Sequence, residues 1–170
     1  MANVAAIVLA AGEASRFGSP KQRLLLPRVL ERVRESSVDE IVVVAGAYGL
    51  DPSDDVRIVT CPDWRAGPGA SLRCGVSSLP DDVEAAVVVL ADGPELAPAA
   101  VDRVVEEWRR SGGVVAASYG GSRGHPLALG RADWRDIPDD GLRDRAVRLV
   151  PCDDLGAPGD VDRPEDLPEL

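Results

Sequence analysis

Seven consecutive apolar residues, Val4-Ala-Ala-Ile-Val-Leu-Ala10, run without a polar break to the threshold of Gly12. A strand with one face in water alternates apolar and polar positions. An unbroken run therefore predicts a strand covered on both faces, as in a parallel sheet held between helices. Glu40-Ile-Val-Val-Val-Ala45 and Ala85-Ala-Val-Val-Val-Leu-Ala91 repeat the pattern, and Val56-Arg-Ile-Val-Thr60 is a shorter example. Segments with helical spacing lie between them. Leu24 to Ser36 carries Leu25, Val29, Leu30 and Val33, with Pro27 expected to start the helix rather than lie inside it. Ala70 to Leu79 reads as a brief helix, and Pro98 to Arg110 as a longer one with Val101, Val104, Val105 and Trp108 on one face. Such alternation implies right-handed βαβ crossovers and a mostly parallel sheet. Val114–Ala117 and Pro126–Leu129, joined through a Gly120–Gly124 turn, predict a small antiparallel insertion. With 170 residues, no internal repeat and no dividing linker, one α/β domain over residues 1–170 is expected.

Aromatics supply only 4% of the residues, so the core must be built from Val, Leu, Ala and Ile. The formal net charge of −10 sets the surface against nucleic acid and against anionic membranes. It leaves small phosphorylated ligands open, because backbone N–H groups and a few cations can bind them locally. Cys61, Cys74 and Cys152 are odd in number and form no CxxC pair, and the single His125 has no cysteine near it in sequence. Reduced thiols and no zinc set are the expectation. The N-terminal residues lack a basic region followed by an apolar one, and no run reaches ~18 apolar residues, so a cytoplasmic protein is expected.

In an open α/β sheet, ligands bind beyond the carboxyl ends of the strands. The first strand empties into Leu9-Ala-Ala-Gly-Glu-Ala-Ser-Arg-Phe-Gly-Ser-Pro-Lys21. Small residues at Ala10, Ala11 and Gly12 let a nucleotide approach the backbone. Arg16 offers a guanidinium fork and Lys21 a point charge, both suited to a triphosphate. The segment is neither a Walker A loop nor GxGxxG, and by itself it is equally readable as an ordinary turn. The fourth strand empties into Leu90-Ala-Asp92-Gly-Pro94. A carboxylate at a strand end is a usual magnesium ligand in phosphate chemistry, although a turn-former reads the same way. Asp160 and Asp162 are a second source of carboxylates.

Together these residues resemble the MobA-like NTP transferase family, and within it the molybdenum cofactor cytidylyltransferase branch. The pattern LAAGxSxR(F/M)GxxK is met by Leu9, Ala10, Ala11, Gly12, Arg16, Phe17, Gly18 and Lys21, with Ala14 in the serine position and Ser15 one step later. Trp64, Gly67, Ser71 and Gly75 match W-x-x-G-x-x-x-S-x-x-x-G, with Arg73 inside the segment. Leu90-Ala-Asp-Gly-Pro94 matches LxD(Q/M)P with Gly93 in place of the larger residue, and Arg123-Gly-His-Pro126 matches RGHP. Asp139-Asp-Gly-Leu-Arg143 is an altered GDxGAR, and Asp160–Leu167 is nearly DxDTPEDL. The connection after Lys21 is shorter than in relatives and lacks their glycine.

The resemblance spans about residues 4 to 167 and implies a three-layer α/β/α, Rossmann-like nucleotidyltransferase fold. It implies transfer of NMP, CMP from CTP rather than GTP by the Leu9-Ala-Ala-Gly12 form, to a phosphorylated acceptor such as molybdopterin, with Mg²⁺ and release of pyrophosphate. Arg16, Lys21 and Asp92 would be catalytic. Leu9, Ala10, Ala11, Gly12, Ser15, Gly18, Ser71 and Arg73 would bind nucleotide, and His125 and Pro126 the acceptor. Asp92 with Asp160 or Asp162 would hold the metal. The Trp64–Gly75 segment either contacts base or ribose or packs the loop. Two other readings stand beside this one: a weakened NTP-transferase fold acting as a binding or accessory protein, and a sugar- or alditol-phosphate nucleotidyltransferase.

Overall fold

The computed structural model describes residues 2–12, 21–47, 49–50 and 53–159, and for residues 21–23 the backbone alone. The apolar runs become strands: β1 (Asn3–Ala10), β2 (Glu40–Ala45), β3 (Val56–Thr60), β4 (Val83–Leu90), β5 (Val114–Tyr119), β6 (Ser122–Gly130) and β7 (Arg148–Pro151). The helices are α1 (Lys21–Arg34), α2 (Pro68–Ser77) and α3 (Pro98–Ser111). Among the described residues the strands form one sheet in the order β3-β2-β1-β4-β6-β5-β7. Only β6 runs against the others, antiparallel to β4 and β5, while β7 is parallel to β5.

Alternating side chains of the central strands feed two cores. Val4, Ala6, Val8 and Ala10 of β1 join Val87 and Val89 of β4 under α1 and α3, which bring Val29, Val33, Val101 and Val104. Ala5, Ile7 and Ala11 join Ala86 and Val88 on the opposite face, under Leu72 and Val76 of α2. Strands buried on both faces thus give the expected three-layer α/β/α architecture with a mostly parallel sheet. No helix among the described residues is long and apolar enough to cross a membrane.

Three expectations are corrected, and one strand is added. Pro27 lies inside α1 rather than at its start. Its ring removes the hydrogen bond to the carbonyl of Arg23 and costs about 3 kcal/mol. Because the ring faces solvent, Leu25, Leu26, Val29, Leu30 and Val33 remain buried, and at about 1.5–3 kcal/mol each they outweigh it. The Gly120–Gly124 turn is shorter than predicted. Gly120 and Gly121 alone form it, at φ 59° and 80°, and Ser122 already pairs with Tyr119. Two consecutive positive φ values explain both glycines. β7 was not foreseen, because a four-residue edge strand carries little alternation. The thiols are also not all reduced: Cys61, just after β3, is disulfide-bonded to Cys74 in α2, with Cα atoms 5.8 Å apart, and Cys152 is free and buried. The crossover from β3 into α2 brings together two cysteines that show no metal or redox spacing in sequence.

Candidate active site

The strand order reverses between β1 and β4. β1 leads outward to β2 and β3, whereas β4 leads the other way. A crevice forms at such a switch point, outside the carboxyl ends of the two strands. Leu9 faces Leu90 across the β1–β4 ladder, and the N–H of Ala91 donates to the carbonyl of Leu9 at 3.1 Å. The loop after β1 and the loop after β4 therefore leave the sheet side by side. Gly12 and Asp92 are brought together by this pairing.

A cavity of about 350 Å³ opens there, bounded by Ala11 and Gly12, by Trp64 and Arg65 of the turn after β3, by Ser71 of α2, and by half-buried Asp92. A second cavity of about 450 Å³ shares Leu9, Pro68 and Leu90 with the first and is closed by Arg123, His125, Leu142 and Arg143. A third, about 350 Å³, lies on the other side of His125, between Gly93, Tyr119 and Pro158.

The Trp64–Gly75 segment packs the loop and lines the cavity. Trp64 packs against Gly46, where an added Cβ would lie 2.6 Å from the ring, and it also lines the cavity. Gly67, at φ 136°, has no room for a side chain, because the Asp139 carbonyl would sit 2.2 Å from its Cβ. At Gly69 the N–H donates to that carbonyl at 2.8 Å. The altered Asp139–Arg143 element thus docks on the start of α2. Ser71 is 4% exposed and faces the cavity, and no hydrogen bond engages its hydroxyl among the described residues. Gly75 lets α2 lie directly on Ile7 of β1, where an added Cβ would meet Cγ2 at 2.8 Å.

Leu9, Ala11, Gly12, Ser71 and Asp92 are gathered by the fold as the motifs suggest. Ala10 instead faces the α1–α3 core. Arg73 is drawn to the neighbouring loop, donating to the Ile137 carbonyl at 2.6 Å and to the Asp139 carboxylate, and so positions that loop rather than the cavity. His125 borders both remaining cavities, with Pro126 buried behind it in β6. Lys21 opens α1; its side chain, together with Arg16, Ser15, Gly18, Asp160 and Asp162, lies outside the described residues. Sequence reasoning passed over Arg65, and it quoted Leu142 and Arg143 within the altered Asp139–Arg143 element without giving either a place in the site. The cavities gather these from turns, where no periodicity marks them.

Electrostatics separates the two sides of the crevice. Burial, and next the Arg123 guanidinium, push the His125 pKa below its ordinary value, with Asp92 pulling it back, so the imidazole is neutral at neutral pH. Arg123 grips the far wall through the carbonyls of Leu142 (2.6 Å), Arg145 (3.0 Å) and Arg143 (3.4 Å). Gly93 is covered by the returning chain. An added Cβ would meet the Pro158 Cβ at 3.0 Å, and the Pro158 carbonyl accepts from the Glu95 N–H at 2.9 Å.

The model of the MobA-like NTP transferase domain matches residues 6–151. The chain belongs to that family. This MobA-like domain is a nucleotidyltransferase by that membership, which leaves its acceptor unspecified. A comparison with curated protein sequences finds no match. Among solved structures it is similar to Rv0371c from Mycobacterium tuberculosis H37Rv, with a TM-score of 0.80, 24% identity, and coverage of 98% of this chain and 96% of that one. A structure of Rv0371c in complex with manganese matches with a TM-score of 0.72 at 22% identity, covering 88% of each chain. A Methanothermobacter nucleotidyl transferase (Mth528) follows at 0.68 and 24% identity, covering 88% and 87%. A CMP:2-keto-3-deoxy-manno-octonic acid synthetase complexed with CTP matches at 0.71 with 12% identity, covering 96% and 94%. At these identities the likenesses establish the shared fold.

Proposed function

We propose that this MobA-like domain transfers a nucleotidyl group, CMP from CTP in preference to GMP from GTP, to the phosphate of a small acceptor such as molybdopterin. The reading rests on one observation above all: Gly12, Ser71 and Asp92, from three separate segments, converge on one cavity at the switch point. An acceptor phosphate oxygen forms a bond to the α-phosphorus, the bridging bond to the β-phosphate breaks, and pyrophosphate leaves. Positioning and charge neutralisation supply most of such a transfer. The missing side chain at Gly12 lets a phosphate approach the backbone, and the Ser71 hydroxyl offers a hydrogen bond to ribose or base. Arg16 and Lys21 are assigned to the β- and γ-phosphates. The Leu9-Ala-Ala-Gly12 form and the CTP bound to a neighbour of the same fold support the cytidine preference.

A divalent metal belongs to this reading. Among the described residues, no group of three or more His, Cys, Asp or Glu side chains could hold one unaided. Magnesium is commonly held by one or two carboxylates together with substrate phosphates, and Asp92 fits that kind of site, with Asp160 or Asp162 as the second carboxylate. Bound there, the metal would neutralise charge on the phosphate oxygens. The neighbouring 450 Å³ cavity is assigned to the acceptor, where neutral His125 gives a hydrogen bond and Arg143 a cation. No general base is needed, because an acceptor phosphate is already ionised.

The test is pyrophosphate release from CTP·Mg²⁺ with molybdopterin as acceptor. Asp92→Ala should lower the rate by about 10²–10³-fold. Turnover that survives this change intact, or CTP binding without turnover on molybdopterin or on sugar and alditol phosphates, would remove the proposal.

A further inference from the structure

Most described arginines already have protein partners. Arg34 and Arg103 each grip a carboxylate with two bonds, and Arg123 and Arg131 donate to backbone carbonyls. Arg65 differs. No ion pair or hydrogen bond among the described residues engages its guanidinium, although the chain carries 29 acidic residues against 19 basic ones. Among the described residues its partner is an aromatic ring: the guanidinium lies over Trp64, 4.7 Å from the centroid. That ring is itself held against Gly46 and the α2-side core.

Stacking occupies the face of the guanidinium and leaves its in-plane N–H donors available. Arg65 is exposed and lines the same 350 Å³ cavity as Gly12, Ser71 and Asp92. A guanidinium with no carboxylate partner among the described residues, preset by stacking at the wall of this cavity, is suited to an anion. Of the parts of a nucleotide, only the phosphates are anionic, and charge-assisted bonds to phosphate oxygens are the strongest it can make there.

We propose that Arg65 binds the phosphate groups of the nucleotide, acting from the β3–α2 turn in the cavity that Ala11 and Gly12 also line. The assignment rests on reading this cavity as the nucleotide site. Arg65 is not part of the family pattern as matched in this chain, so it would be a contact particular to this sequence.

Calorimetric titration of cytidine, CMP and CTP, each with Mg²⁺, into the wild type and into Arg65→Gln and Arg65→Lys separates the outcomes. Arg65→Gln should weaken CTP by about 10–100-fold and leave cytidine within about twofold, with Arg65→Lys recovering part of the loss. Footprinting the wild type with phenylglyoxal removes any dependence on variant folding. CTP·Mg²⁺ should protect Arg65, while exposed Arg135, beyond the opposite end of β4, keeps reacting. Unchanged CTP affinity in Arg65→Gln, equal losses for cytidine and CTP, or no protection of Arg65 would each overturn the assignment while leaving a CTP site intact. A wild type that binds none of the three ligands overturns both this assignment and the cavity reading beneath it.

Discussion

At the scale of single residues, His125 joins site chemistry to stability. Burial and Arg123 hold its pKa below the ordinary histidine value, against the opposing pull of Asp92. The folded protein therefore binds this proton less tightly than the unfolded chain does. Its stability is complete above the ordinary histidine range and falls as pH drops below it, because the unfolded state then takes up more protons. Urea midpoints measured from about pH 7.5 to about pH 5 should decline, and His125→Asn should flatten that decline. Equal slopes for the two proteins would show that His125 is not its source. Asp92 and Gly12 were legible because chemistry in an α/β sheet is confined to strand ends. The contacts of Arg73 were not legible, since its motif gives a position along α2 but not the loop that side chain meets. Arg65 carried no signal, and Arg143 only a motif position without a role, until turns distant in sequence came together around the cavities.

Among the elements, α2 and the turn before it carry most of the site's construction. The Cys61–Cys74 disulfide closes a loop that contains Trp64, Arg65, Gly67, Pro68 and Ser71, all of which line the 350 Å³ cavity. For a loop of this length, reduction should lower stability by about 3 kcal/mol. CTP affinity should fall with it, because the cavity wall loses its covalent anchor. Denaturant titrations of oxidised and reduced protein, with thiol counting, check this; coincident midpoints would mean that the bridge contributes nothing. α1 gives the complementary lesson. Its helical spacing was plain from Leu25 to Val33, but its start was not, because proline's local preference for the first turn yielded to the burial of five aliphatic side chains. β7 was missed for the opposite reason: an exposed four-residue edge strand is defined by its pairing with β5 rather than by its own pattern.

For the whole molecule, nucleotide binding should be visible as global stabilisation, since the proposed cavity joins β1, α2 and β4 and exists only in the folded state. CTP·Mg²⁺ at about 100 times its Kd adds about 2.7 kcal/mol. For a chain of this length that raises the thermal midpoint by about 5–10 °C, and GTP·Mg²⁺ at the same concentration should raise it less. A midpoint unmoved by either nucleotide would count against an intact site. The sequence by itself determined the layered architecture, the parallel central strands and the strand ends that carry Gly12 and Asp92, because burial on both faces is written into unbroken apolar runs. Only the tertiary structure decided that β1 and β4 are neighbours at the reversal of strand order, that the Asp139–Arg143 element sits on the glycines of α2, and that Cys61 meets Cys74. Those contacts depend on how separate segments pack, and local patterning records which face of a segment is buried, not against what.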